Sequence, residues 1–152
     1  MKHIEQSALV AYPADKMFHL VDDVNAYPEF LPWCGGAEIL QRKGNRVQAS
    51  IRIHYLAVDQ TFTTENTLTE GREIKIRLLR GPFSHLQGDW RFQPLSAEAS
   101  KVSLRLDFDF SSKVIALVVS PVFSQIANSL VQAFCHRAKE MYGTTGVATQ
   151  KL

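Results

Sequence analysis

The hydrophobic period of this chain changes from two to 3.6 near residue 110, and few folds accommodate that order. From Ala37 to Phe110 apolar side chains recur at alternate positions. Val47, Ala49, Ile51, Ile53 and Tyr55 interleave with polar residues, as do Ile74, Ile76 and Leu78. Leu86, Gly88, Trp90 and Phe92 repeat the pattern, and so do Val102, Leu104, Leu106, Phe108 and Phe110. Gln60, Phe62, Thr64 and Asn66 form a further run with polar groups on both faces. Alternation of this kind specifies strands with one covered face. Lys43-Gly44-Asn45, Glu70-Gly71-Arg72, Gly81-Pro82 and the polar stretch from Ser96 to Ser100 supply the turns. The pattern predicts an antiparallel meander.

Helical segments flank the meander. Residues 3–12 alternate weakly and suit an edge strand. Tyr12-Pro13-Ala14-Asp15 opens a helix carrying Met17, Phe18, Leu20, Val21 and Val24. Pro28 and Pro32 bracket a short turn, Glu29-Phe30-Leu31, and Cys34-Gly35-Gly36 breaks the chain. Ser120-Pro121 reads as an N-cap and first-turn pair, with Val114 to Val119 an earlier segment kinked or ended there. Val122, Phe123, Ile126, Leu130, Val131, Phe134, Ala138 and Tyr142 then form one stripe. Helix from Lys113 to Tyr142 would span about 45 Å. Gly143 is a stop signal, and residues 144–152 are expected to be a flexible tail. The fold class is therefore α+β. A curved sheet of about six to seven strands wraps a long C-terminal helix, with two short helices after the first strand. Residues 1–143 form one domain. A sheet curled round a helix does not fill its own interior, so a cavity is expected between them.

Composition narrows the function. The chain has 152 residues, 45% of them hydrophobic and 21% charged, which is globular rather than disordered. The net charge of +2 does not suit a dedicated DNA binder. Val114 to Val119 is the longest purely apolar run, far short of the ~20 residues of a bilayer span. The first residues lack the apolar core of a signal peptide, and Cys34 and Cys135 stand apart with no C-x-x-C partner. A cytoplasmic setting is expected, with peripheral contact at the inner membrane as a candidate. Charge is segregated. Residues 1–41 sum to −4, whereas Arg42, Lys43, Arg46 and Arg52 have no acid among them, and Lys75, Arg77 and Arg80 lie in a second basic stretch. Those seven cations are candidates for contact with an anionic surface such as RNA. The plainer reading is a solvated sheet face.

Catalytic signals are sparse. The five histidines have no partner at metal-ligand spacing, so no metal and no required cofactor is expected. No phosphate-cradling or nucleophile-elbow motif is present. Asp107 and Asp109 read as a solvated strand face and Cys34 as a buried filler. Binding signals are richer. Trp33, Ile51, Ile53, Phe62, Leu86, Trp90, Phe92, Leu106, Phe108, Phe110, Phe123, Ile126, Leu130 and Phe134 are candidate walls of an apolar cavity. Gln60, Thr64 and Asn66 could hydrogen-bond a ligand carbonyl. Tyr27, Phe30, Leu31 and Pro32 are candidates for the cavity mouth. The alternative is a hydrophobic staple between the short helices and the sheet.

Several stretches resemble one family. They are Tyr27 to Cys34 (YPEFLPWC), Leu79-Arg80-Gly81-Pro82-Phe83, and Leu86-x-Gly88-x-Trp90-x-Phe92-x-Pro94-Leu95. Phe108-x-Phe110-Ser111, Pro121-Val122-Phe123-x-x-Ile126 and Ala133-Phe134-x-x-Arg137-Ala138 continue it to Tyr142-Gly143. Together they are similar to the START-type family that includes coenzyme Q-binding proteins and ribosome association toxins. The resemblance implies a helix-grip fold and a non-catalytic role, with a polyprenyl quinone such as ubiquinone as bound ligand in support of respiration or quinone delivery. It also implies an alternative, a toxin that binds the large ribosomal subunit, blocks subunit association and is opposed by a small antitoxin. An oligoketide cyclase is a third implied reading. It would need ionisable groups converging inside the cavity.

Overall fold

Nearly every alternating run becomes a strand of one antiparallel sheet. The computed structural model describes residues 1–143 and Gln150–Lys151. The strands are β1 (Lys2–Val10), β2 (Cys34–Lys43), β3 (Arg46–Tyr55), β4 (Val58–Thr69), β5 (Glu73–Arg80), β6 (Phe83–Pro94), β7 (Ser100–Phe110) and β8 (Gln150–Lys151). Their order is β2-β3-β4-β5-β6-β7-β1-β8, so the meander runs in sequence and β1 closes onto β7. Two helices complete the fold, α1 (Ala14–Asp22) and α2 (Lys113–Tyr142), with a 3₁₀ segment at Val24–Glu29.

Two local expectations are corrected. The short turn between the prolines is not at Glu29–Leu31 but upstream, as the 3₁₀ segment that contains Pro28. Ser120-Pro121 does not start the long helix. Ser112 caps it, its hydroxyl accepting from the Ile115 N–H at 3.1 Å, and the helix runs through Pro121. Pro121 lies on the exposed side, where water can satisfy the carbonyl its missing N–H leaves free. Ser120 is buried and bonds the Lys2 ammonium instead. Within the span expected to be a tail, Gln150–Lys151 pair antiparallel with Leu9 and Ala8. The other tail residues, 144–149 and Leu152, lie outside the described residues.

The core forms where the inward sheet face meets α2. Two aromatic clusters pin the helix. Phe123 sits among Phe62, Phe83, Phe108 and Phe110, with centroids 4.8 to 6.3 Å away. Eleven residues later, Phe134 meets Tyr27, Phe30 and Trp90 at 5.3 to 5.4 Å. α2 is long and apolar enough, by length and composition, to cross a bilayer, a property no single uninterrupted run of the sequence has. Its inner face is nonetheless packed in this core. The edge strand β2 carries irregularities at Cys34/Gly36 and Ile39/Gln41, and the Asn25 side chain accepts from the Ile39 N–H at 3.0 Å.

Gly88 of β6 allows that strand to lie close against β7. A Cβ there would overlap the Arg105 carbonyl oxygen of β7 and approach Leu106 Cδ2 to 2.8 Å. The neighbour is backbone and cannot swing away. Gly88→Ala is expected to destabilise the fold by at least the ~1–3 kcal/mol typical of overpacking, read as a lowered denaturation midpoint with an unchanged slope.

Candidate functional site

Between the two aromatic clusters α2 presents smaller side chains, Ile126, Ala127 and Leu130, and a cavity of about 90 Å³ remains beneath them. At the ~30 Å³ share of a liquid water it holds roughly three waters. That volume is less than the ~150 Å³ void that takes up one benzene, so a ring-sized ligand needs side chains such as Leu130 to give way. β3 to β7 supply the opposite wall, and Val21, Val24, Tyr27 and Trp33 close the side.

Eleven of the fourteen candidate wall residues line this cavity: Trp33, Ile51, Ile53, Phe62, Leu86, Trp90, Leu106, Phe123, Ile126, Leu130 and Phe134. The other three do not reach it. Phe92 is spent against Phe18 and Trp90, while Phe108 and Phe110 belong to the cluster around Phe123. Parity put them on the correct face but could not say which height along the strand stays open. Val21, Val24, Ile74, Ile76, Leu104 and Ala127 also line the cavity. Five of them lay on the apolar stripes of their elements, which was the available signal, and Ala127, four residues after Phe123, was not singled out.

The segment from Tyr27 to Trp33 packs inward. Leu31 is 1% exposed, and Tyr27 is buried with its hydroxyl donating to the Val21 carbonyl. Phe30 is capped by the Arg137 guanidinium 4.9 Å from its ring centre, and Arg137 also pairs with Glu29. Pro28, Glu29 and Pro32 are exposed. The segment is the staple that ties the 3₁₀ turn to the second half of α2, and only Tyr27 and Trp33 of it reach the cavity.

The cavity has one polar spot. Thr64 Oγ1 donates to Asn66 Oδ1 at 2.9 Å, and both side chains face the void. This bond fixes the amide so that its two N–H donors are left without a protein acceptor among the described residues. Gln60 is not part of the lining. The lining holds no carboxylate, histidine, lysine, arginine or cysteine. Its one titratable group, the Tyr27 phenol, is tied to Val21, and burial, reinforced by Asp22, pushes it above the usual phenol range. No group of three or more His, Cys, Asp or Glu side chains gathers as a metal site among the described residues.

Ion pairs take up much of the charged surface. Of the seven candidate surface cations, Arg42 pairs with Asp22, Arg52 with Asp59 and Arg77 with Glu65, at 3.1, 2.7 and 2.8 Å. These bonds hold the Asp59 and Glu65 carboxyls below their ordinary range. Lys43, Arg46, Lys75 and Arg80 make no ion pair among the described residues. Lys43, Arg46, Thr67 and Lys75 follow one another across β2 to β5 in a single cross-strand rung. Beyond Lys75 the rung continues Asp89, Arg105, Glu5, so the positive patch ends there. The face is not one contiguous basic surface.

Both cysteines are buried. Burial pushes the Cys34 thiol up and the Cys135 thiol up to about 11 from an ordinary 9.0. The shift lowers the Cys135 thiolate fraction near pH 8 about a hundredfold. Thiolate forms as pH rises, so the folded protein should alkylate Cys135 at least that much more slowly than the unfolded chain near pH 8. The gap should narrow above about pH 10, and mass spectrometry of labelled peptides measures both rates.

The comparisons with known proteins agree with this geometry. The profile of the family described as "Polyketide cyclase / dehydrase and lipid transport" matches residues 10–135. The chain is 46% identical over 143 residues to the Ribosome association toxin RatA of Vibrio cholerae, covering 94% of this chain and 99% of that protein. It is 27% identical over 148 residues to a mitochondrial Coenzyme Q-binding protein homologue of Xenopus laevis, covering 93% and 61%. Among solved structures, the Zhui aromatase/cyclase of a Streptomyces species superposes with a TM-score of 0.81 at 22% identity, covering 97% and 99%. At that identity the likeness concerns the fold alone.

Proposed function

The chain belongs to the polyketide cyclase/dehydrase and lipid transport family, and from that premise we propose that it is a non-catalytic binding protein for a neutral, carbonyl-bearing apolar molecule. The observation that carries this reading is an apolar cavity whose polar spot is the Thr64–Asn66 pair with unspent amide donors. A quinone ring fits that chemistry. Its carbonyl accepts from Asn66 Nδ2 and its faces lie against Trp90 and Phe134. A ubiquinone would seat its ring there as the ~90 Å³ void widens around it, with the isoprene tail emerging, and the protein would support respiration or quinone delivery at the inner membrane. The absence of acids and bases from the lining speaks against the cyclase reading, which needs a proton donor or acceptor at the ligand.

Native mass spectrometry followed by solvent extraction tests the ligand. A bound neutral carbonyl compound is expected, and added short-chain ubiquinone should bind. Leu130→Trp fills the void and should abolish uptake. Asn66→Leu should weaken it between about five- and 150-fold, the loss of one buried hydrogen bond of ~1–3 kcal/mol. Failure to bind any quinone, with the fold intact, would sink this reading.

A second reading is favoured by the name borne by the Vibrio cholerae relative. The chain would bind the large ribosomal subunit through its outer surface, oppose subunit association, and be held in check by an antitoxin. The two readings use different surfaces and are compatible. The unpaired rung Lys43, Arg46 and Lys75 is the candidate for RNA contact. Co-sedimentation with large subunits across a salt series should show steep salt dependence. Lys43→Gln, Arg46→Gln and Lys75→Gln should each reduce the log–log slope by about one. Binding that ignores salt and these substitutions would remove the rung from the interface.

A further inference from the structure

The first two turns of α2 are apolar on both sides. The inner side leads into the cluster at Phe123. The outer side carries Val114, Leu117, Val118 and Pro121, spaced i, i+3, i+4 and i+7, which is one helical stripe. Val114 is 73% exposed, Leu117 79% and Val118 50%. After Pro121 the same side turns polar, through Gln125, Asn128 and Ser129. The apolar stripe is therefore confined to one end of the molecule. Leu56 lies at that end, in the turn joining β3 to β4, and is 76% exposed. Its φ of 55° belongs to a region where glycine or asparagine is easier. A large apolar side chain is thus kept in water at a backbone position that does not favour it.

The surrounding charge is mainly positive. No acid occurs in α2 before Glu140. Lys113 begins the helix beside Val114, although a cation opposes the helix dipole there. Lys2 is bonded to Ser120, one residue from Pro121. Arg80 leads into the turn whose Pro82 carbonyl accepts from the Ser111 N–H, at the start of α2. Of the nearby acids, Asp59 is paired with Arg52 and Asp107 with His3, which leaves Asp109.

We propose that this end of the molecule, the stripe Val114-Leu117-Val118-Pro121 with Leu56 and the cations Lys2, Arg80 and Lys113, docks on an anionic lipid bilayer surface. An apolar stripe two turns long, rimmed by cations, is the form that lies at the boundary of headgroups and acyl chains. Docking there places the outer side of α2 against lipid while its inner side lines the cavity one turn further on. The proposal rests on the outer surface and holds whatever the cavity contains.

Vesicle co-sedimentation with the whole protein tests it. Phosphatidylcholine vesicles containing phosphatidylglycerol should bind the protein, and pure phosphatidylcholine vesicles should bind it at least tenfold less. Lys113→Gln should weaken binding about fivefold, and added salt should weaken it further. Val114→Glu and Leu117→Glu should each cost tenfold or more. Both sites are exposed, and the new acid at residue 114 suits the helix N-terminus, so the denaturation midpoint should hold. Failure of the wild type to bind anionic vesicles overturns the proposal. Binding unchanged by either Glu variant overturns it too. So does an association between copies, seen by sedimentation and lost in Leu117→Glu, without vesicle binding; the stripe would then be a protein interface.

Discussion

The grip of the sheet on α2 depends on two aromatic contacts, Phe123 at one end and Phe134 about three turns along. A curved antiparallel sheet exposes an apolar concave face and cannot bury it alone. The helix covers that face, and the rings that fasten it are large enough to hold it off the strands. Where the rings stop and Ala127 begins, the separation persists and the filling does not. The cavity is a direct consequence of pinning a long helix by its two bulky stretches.

This arrangement separates the molecule's surfaces. The cavity lining is uncharged, apolar but for Thr64 and Asn66, and has Tyr27 as its one titratable group, so it suits recognition by shape and by one hydrogen bond. The outer sheet face is charged but self-paired. Glu65, Asp59 and Asp89 each sit against an arginine, which leaves only a short run of free cations on the strands nearest the β2 edge. The end of α2 is the remaining surface and differs in kind from both. A chain built this way can hold a small molecule and meet a larger partner without either event disturbing the other's contacts.

Most of the fold was legible because strands and helices report their faces through period. The alternation at Val102 to Phe110 and the stripe from Val122 to Tyr142 each identified an element and its buried side. Heights along those elements were not legible. Phe92, Phe108 and Phe110 have the same parity as Leu106 and Trp90, yet only the latter two reach the cavity, because vertical position depends on packing across the sheet. Pro121 misled for a related reason. A proline ends a helix when the freed carbonyl is buried, and the sequence does not announce that this one faces water. The basic stretches left a solvated face and an anionic contact both open. Arg52 and Arg77 are neutralised by Asp59 and Glu65, partners that only the registers of β3 and β5 against β4 bring into reach.

The strand order has a further consequence for the molecule's life in a crowded solution. β8 covers the outer side of β1 at residues 8 and 9, so β2 is the long strand left at the other margin. A free margin of that length would normally invite another chain to add to it. Here it is blunted three times over: two bulges break its regular spacing, Asn25 occupies the Ile39 N–H, and Arg42 is drawn toward Asp22 beside Lys43. The protein can therefore keep an open, curved sheet without offering a template for its own polymerisation.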